Sequence, residues 1–392
     1  MKHLLVDFGA SRVKAVIYDS GLNQVIDTFE QVSPSQKNHN CQPAYTVPIS
    51  LYRQCLECAA TTLLHRHRDT QRMYICSEMH GFCMDDDYVS WKDSRADVTA
   101  MDQTLFYQRT GMLLRSGLAY ATLKTLNPSG KHIGTLISAV LDQVIGNDIT
   151  LTASQGFVDK HTQEISQAIM SEFDNVSMVP LAKNHIGYFQ HLPVYGGLGD
   201  LQAALLGADL GHTADMVLNL GTGSQVAVIT QDLTTGDLRP YVNNTWIRVI
   251  SHIPAGRALN AVAEIFVPKR FWRLWQDLSA EQVLAADSQQ VDLNLFASAW
   301  QYTNNSGFIR LKENQSADQQ VAAVARSWVQ QYIHAMSVMG RQHRVRVSGG
   351  LAHKTPWLLT CLSALDNQRT FFISPSVTGE ETLDGLARLA QQ

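Results

Sequence analysis

Apolar and polar positions alternate along the chain with two different periods. LLVDFG at 4–9 and VKAVIYD at 13–19 are short apolar runs, followed by the turn-forming SGLNQ, and together they predict a β-hairpin. ISLYRQCLECAATTLLHR at 49–66 spaces its apolar residues as a helix does, and RMYICSEMHG after it reads as a strand ending in polar residues. From about 97 to 190 the pattern is mostly helical: DVTAMDQTLFYQRTGM, LAYATLKTL, HIGTLISAVLDQVIG and TQEISQAIMSEF, broken at Pro128, Gly130 and Gly146. PVYGGLGDLQAALLGADLG predicts a strand, a glycine-rich turn and a helix of small apolar residues. Residues 317–339 predict a long amphipathic helix, RVRVSGGLA a strand with a glycine turn, and GEETLDGLARLA a last helix. Strands alternating with helices indicate an α/β fold.

The first hairpin has a second copy. MVLNLGTGSQVAVI at 216–229, laid over LLVDFGASRVKAVI at an offset of 212, sets Gly221 on Gly9, Asn219 on Asp7, and Ala227, Val228 and Ile229 on Ala15, Val16 and Ile17. The repeat implies a duplicated unit.

A chain of 392 residues with 45% hydrophobic and 17% charged residues is long enough for two domains with cores of their own. A formal charge of -4 supplies no broad basic field, which argues against nucleic acid or a polybasic membrane role as a partner. The apolar run at the start is interrupted by Asp7, and no stretch approaches the roughly 18 residues of a membrane span. A soluble, cytoplasmic protein is expected. Cys55 and Cys58 form a C-x-x-C without a second pair, so they read as packing cysteines. Asp85, Asp86 and Asp87 read as an exposed hairpin turn, and HRHRD at 65–69 as a solvated helix end.

Glycine turns after strands are the candidate chemistry. Without a Cβ, a turn brings its backbone N–H groups close to a phosphate. Gly9, Gly221 and Gly223 stand in such turns, and SGGLAHK at 348–354 is a third. Any one of them is equally at home in a plain hairpin. Two alike in one chain suggest a polyphosphate held from both sides, and the third a nucleotide subsite. Neither G-x-x-x-x-G-K-[ST] nor G-x-G-x-x-G occurs at these turns. Asp200 follows Gly197 and Gly199 at a strand end and precedes an apolar helix, which fits either a helix N-cap or a base facing a cleft.

Seven segments, in order, resemble the FGGY carbohydrate kinases of the actin, sugar kinase and Hsp70 superfamily. DFGASRVK at 7–14 is similar to the first phosphate motif, SEMHG at 77–81 to the sugar-side strand and WKDSR at 91–95 to W-N-D-x-R. ASQGFVD at 153–159 resembles a landmark of the helical insert, and GDLQAALLG at 199–207 the segment around the catalytic aspartate. LGTGSQ at 220–225 resembles the second phosphate motif and SGGLA at 348–352 the adenosine motif. The chain departs from the pattern at Glu78, Lys92, Leu201 and Leu351, where Gln, Asn, a polar residue and Gly are usual, and it is shorter than most members.

The resemblance implies two RNase H-like α/β domains, 1–211 and 212–392, with a catalytic cleft between them that closes on substrates about Gly207 to Gly211. It implies ATP and Mg2+ as cofactors and a small-molecule sugar as partner, in a monomer or homodimer. Asp200 is then the catalytic base and Asp7 the residue that holds the metal. Gly9, Ala10, Ser11, Arg12, Gly221, Thr222, Gly223, Gly349 and Gly350 would bind the nucleotide, and Met79, His80, Trp91, Asp93 and Arg95 the sugar. PVYGGLGDLQ is most similar to the sedoheptulokinase form, which points to a ketose of five to seven carbons, with xylulose, ribulose and glycerol as alternatives. A non-catalytic nucleotide-binding regulator is the competing reading.

Overall fold

The hairpin expected at the start forms as its alternation requires. In the computed structural model, which describes residues 1–36, 43–183, 185–295, 307–310, 313–373 and 375–392, strand β1 (Lys2–Phe8) pairs antiparallel with β2 (Arg12–Asp19), Phe8 opposite Val13. β1 is buried almost throughout, as a central strand covered on both faces must be. Two contact-defined units emerge, one of Met1–Gly207, Thr230–Trp246 and Ser376–Gln392, the other of Ala208–Ile229 and Ile247–Pro375. The first unit thus includes residues 230–246 and 376–392, which the expected ranges 1–211 and 212–392 give to the second domain.

In the first unit β3 (Gln24–Val32) joins β2, and β1 pairs parallel with β4 (Thr70–Ser77), which pairs parallel with β5 (Leu192–Gly199). The sheet order is β3-β2-β1-β4-β5, continued by Gly187–Phe189 and Gln143–Val144. Helix α1 (Ile49–Leu64) buries Tyr52, Cys55, Leu56, Ala59, Ala60 and Leu63, one stripe at helical spacing. Cys55 and Cys58 are both free thiols on it. The glycine-rich turn expected before Asp200 is instead a bulge within β5: its register shifts between Gly196 and Leu198, with φ of 80° and 73° at Gly196 and Gly197.

Helix α2 (Asp200–Gly207) starts where β5 stops. The C-terminal helix, Glu381–Gln391, lies against it at a glycine contact. A Cβ on Gly385 would strike the Ala203 carbonyl, and one on Gly207 the Glu381 carbonyl. Close helix packing therefore requires both glycines, Gly207 among them.

The second unit repeats the scheme. β6 (Met216–Leu220) pairs antiparallel with β7 (Ser224–Thr230) and parallel with β9 (Arg344–Ser348), in the order β8-β7-β6-β9-β10, where β8 is Trp246–Ile253 and β10 Thr370–Phe372. Its core centres on Trp275, with Trp328 and Trp357 at centroid distances of 5.2 and 5.1 Å. Trp328 comes from the long helix Ala317–Met339, which has the extent its periodicity predicts. The repeat slips in its second strand. Phe8 faces Val13 across the first turn, but Leu220 faces Ser224, so the second turn is one residue shorter. Val6 pairs with Ala15, whereas Leu218, its match at the fixed offset, pairs with Val226 and not Ala227.

Residues 97–190 are less helical than their pattern suggests. HIGTLISAVLDQVIG folds as strand His132–Gly134, helix Leu136–Val140 and strand Gln143–Val144. Thr135 starts the helix anew, its side chain accepting from Ser138 N while Ser138 Oγ accepts from Thr135 N. Gly146 then passes so close to Pro180 and Ala182 that a Cβ there would lie 2.8 Å from the Pro180 carbonyl. Asp85 and Asp86 form the expected hairpin turn and Asp87 opens its second strand opposite Met84, with Asp85 at φ 54° and bound to Lys131 at 2.8 Å. HRHRD is more than a solvated end, since Arg66 and His67 reach Asp27 of β3 at 2.9 and 3.1 Å. Among the described residues no helix is long and apolar enough to cross a membrane.

Candidate active site

Three acidic side chains from different elements of the first unit influence one another. Asp7, near the end of β1, is buried; its Oδ2 accepts from Thr382 Oγ1 at 2.7 Å and its Oδ1 from Cys76 Sγ at 3.5 Å. Burial raises its pKa, opposed by these hydrogen bonds and by Lys14, its cross-strand partner. Lys14 in turn binds Glu380 at 2.5 Å.

Asp200 opens α2, and its Oδ1 accepts from the Leu201 amide at 2.8 Å. That bond and the helix N-terminus favour the carboxylate. Burial, then the charge of Asp7, outweigh them and, with a further push from Glu78, lift its pKa to about 7. At neutral pH such a carboxyl is poised to take a proton. The strand before it is held tightly: Gly199 N–H donates to Thr150 Oγ1 at 3.0 Å, and a Cβ on Gly199 would lie 2.7 Å from Met79 Cγ. Met79 is thereby placed beside the entry to α2.

The other residues expected to face the sugar have definite partners. His80 adopts φ 73°; its amide donates to Ser154 Oγ at 3.1 Å and its Nδ1 donates to the Ser154 carbonyl at 2.8 Å, which orients the ring. Trp91 Nε1 donates to Glu78 Oε2 at 2.8 Å, leaving the indole 42% exposed. Asp93 is buried and engaged by Arg95 at 2.7 Å and by the Tyr45 amide at 2.9 Å, so this carboxylate holds the chain around residue 45 and Arg95 is its counter-ion. Glu78 is buried with a raised pKa, caused first by its burial and opposed by Lys92 and by the Trp91 bond.

At the first turn the carbonyls are turned toward neighbouring donors. Ser33 Oγ donates to Gly9 O at 2.6 Å, Lys92 Nζ to Ala10 O at 3.4 Å and Ser33 N to Ser11 O at 3.0 Å. Arg12 extends away along the sheet to Glu30 at 3.0 Å.

The second unit carries the other two turns. Gly221 O accepts from Gly256 N at 3.2 Å and Thr222 O from Arg257 N at 2.8 Å, which seats the turn on the first residues of the helix Gly256–Phe266. Gly349, at φ 92°, crosses the Leu220 backbone so closely that no side chain fits. A Cβ on Gly223 or on Gly350 would meet nothing within 4 Å. Local packing does not demand glycine at those two positions, whereas a ligand approaching the backbone would. Asn219, the repeat's match for Asp7, donates to Ser348 Oγ at 3.1 Å.

Several participants were not singled out from the sequence as parts of the site. Thr382 lies 375 residues from the carboxylate it binds, and nothing local marks it. Glu78 and Lys92 were visible only as departures from a motif. The carboxylates of Asp7 and Asp200 fit a magnesium ion, since the charge of Asp7 reaches Asp200 and raises its pKa, and such an ion takes one or two carboxylates and otherwise water. No group of three or more His, Cys, Asp or Glu arranged for a metal is present among the described residues.

No protein-family model matches the sequence, and no curated protein matches it. Solved structures do resemble it. A xylulose kinase from Brucella ovis superposes with TM-score 0.80 at 15% identity, over 100% of this chain and 90% of that one. A gluconate kinase from Lactobacillus acidophilus gives 0.76 at 14%, over 100% and 89%. A glycerol kinase from Plasmodium falciparum with ADP gives 0.77 at 15%, over 99% and 88%. The chain therefore has the actin-like ATPase fold in the form found in these sugar kinases.

Proposed function

We propose that the protein is an ATP-dependent carbohydrate kinase that moves the terminal phosphoryl group of ATP to a hydroxyl of a polyhydroxylated small molecule. The observation that carries this reading is Asp200, a carboxyl raised to about 7 at the start of a helix, in a chain whose fold is shared with sugar kinases. In the reaction the acceptor oxygen forms a bond to the terminal phosphorus as the bond to the bridging oxygen breaks, and ADP leaves. The acceptor's proton passes to Asp200. Asp7 would hold Mg2+, which when bound supplies charge neutralisation of the phosphates. The backbone of residues 9–12 and 221–223 would donate to the phosphates, Thr222 would add a hydroxyl, and Gly349 and Gly350 would border the adenosine. Met79 and Trp91 give the acceptor an apolar wall, and His80, with its ring fixed by Ser154, a polar contact.

A ketose of five to seven carbons is the proposed acceptor, sedoheptulose first, with xylulose, ribulose and glycerol as alternatives. Use of ATP fits a cytoplasmic setting. The test is a coupled ADP-release assay with Mg·ATP and a panel of ketoses, aldoses, sugar acids and polyols. One acceptor is expected to raise ADP release well above the background. Tight ATP binding with no stimulation by any acceptor would favour the nucleotide-binding regulator.

A further inference from the structure

The first phosphate motif, DFGASRVK, carries two cations of its own, Arg12 and Lys14. Arg12 is bound to Glu30, and both side chains are largely exposed, at 56% and 45%. Lys14 is bound to Glu380. The ammonium that does reach the turn is Lys92, 3.4 Å from the carbonyl of Ala10, the turn's second residue. It is held there by two aromatic faces, with ring centroids of Tyr45 at 5.2 Å and Trp91 at 5.8 Å. Trp91 is itself fixed by its bond to Glu78. Lys92 is therefore partly buried and framed, unlike a freely moving surface lysine. Its ammonium has three protons, and the bond to Ala10 uses one. Asp7, Asp200 and Glu78 make these surroundings acidic. A phosphate arriving among them needs a fixed positive charge beside it.

We propose that Lys92 is an anion-binding residue of the active centre, its ammonium receiving an oxyanion of the terminal phosphate of the nucleotide. The inference rests on the phosphotransfer reading above. A carboxylate on an acid acceptor offers the same chemistry, and a purely internal role, as counter-ion to Glu78, is the competing account.

Lys92→Gln and Lys92→Arg separate these, with ATP and ADP affinities measured by calorimetry and kinetics measured on the best neutral and the best acid acceptor. In Lys92→Gln, ATP affinity and kcat on the neutral acceptor are expected to fall about tenfold or more while ADP affinity holds, with Lys92→Arg recovering part of the loss. Equal ATP and ADP affinities to wild type, with only a lowered melting temperature, would overturn the proposal in favour of the internal ion pair. A loss confined to the KM of acid acceptors would overturn it in favour of the acceptor carboxylate. A wild-type chain that transfers to nothing would refute the kinase reading alone, because the contrast between ATP and ADP still tests Lys92.

Discussion

At Asp200 two effects oppose each other, and their sum sets a pH dependence. The Leu201 amide favours the charged form, but burial first, then Asp7 and Glu78, favour the neutral form and leave the pKa at about 7. A base must be deprotonated to act, so kcat/KM is expected to rise with pH through a limb near 7. Removing the negative charge of Glu78 takes away one of the raising influences, so Glu78→Gln should move this limb to lower pH. A pH–rate profile checks it, and an unmoved or upward-moved limb would contradict the assignment. Asp200 stood out in the sequence as a candidate because a carboxylate between a glycine-rich strand and an apolar helix is conspicuous. Thr382 was not, because a hydrogen bond across 375 residues leaves no local trace. The partner of Arg12 was not legible for a related reason: Glu30 is set by the register of β2 on β3, which composition does not reveal.

Glycines at the level of elements divide into those that packing needs and those that it does not. Gly385 sits where the C-terminal helix meets α2, and any Cβ would strike Ala203. Gly385→Ala is expected to cost about 2 kcal/mol or more, because neither helix can move away without disturbing the start of α2. Gly223→Ala meets open space and should change stability by less than about 0.5 kcal/mol, yet weaken ATP binding if phosphate approaches the turn. Thermal melts and ATP titrations of the two variants check this, and an unchanged ATP affinity in Gly223→Ala would count against that turn as a phosphate ligand. The hairpins and the long helix at 317–339 could be read from period alone. The stretch from 97 to 190 could not, because its apolar residues serve short helices and two-residue strands whose limits depend on Thr135 capping and on the approach of Gly146 to residues 180 and 182. The repeat was legible in its first strand and misaligned in its second, since a turn shortened by one residue keeps the composition and shifts every cross-strand pair.

At the scale of the molecule, the chain order does not follow the units. Residues 376–392 belong to the first unit, and among their contacts to it are Thr382 on Asp7, Glu380 on Lys14 and Gln391 on Tyr18 at 2.5 Å. A chain ending at residue 375 is expected to lose protection from hydrogen exchange in β1 and α2, while the core around Trp275 in the second unit stays protected. Equal protection of β1 with and without the last helix would contradict this. A period in sequence predicts the last helix but not what it covers, which is why a simple division at 211 looked natural. The central claim is phosphoryl transfer with Asp200 as base. Its most direct measurement follows radiolabelled terminal phosphate from ATP to the best acceptor of the panel, for wild type and for Asp200→Asn at matched acceptor occupancy. The account predicts labelled acceptor from the wild type, a loss of several orders of magnitude in the variant, and acceptor binding retained. Label transferred equally by both, or acceptor binding lost together with transfer, would contradict it.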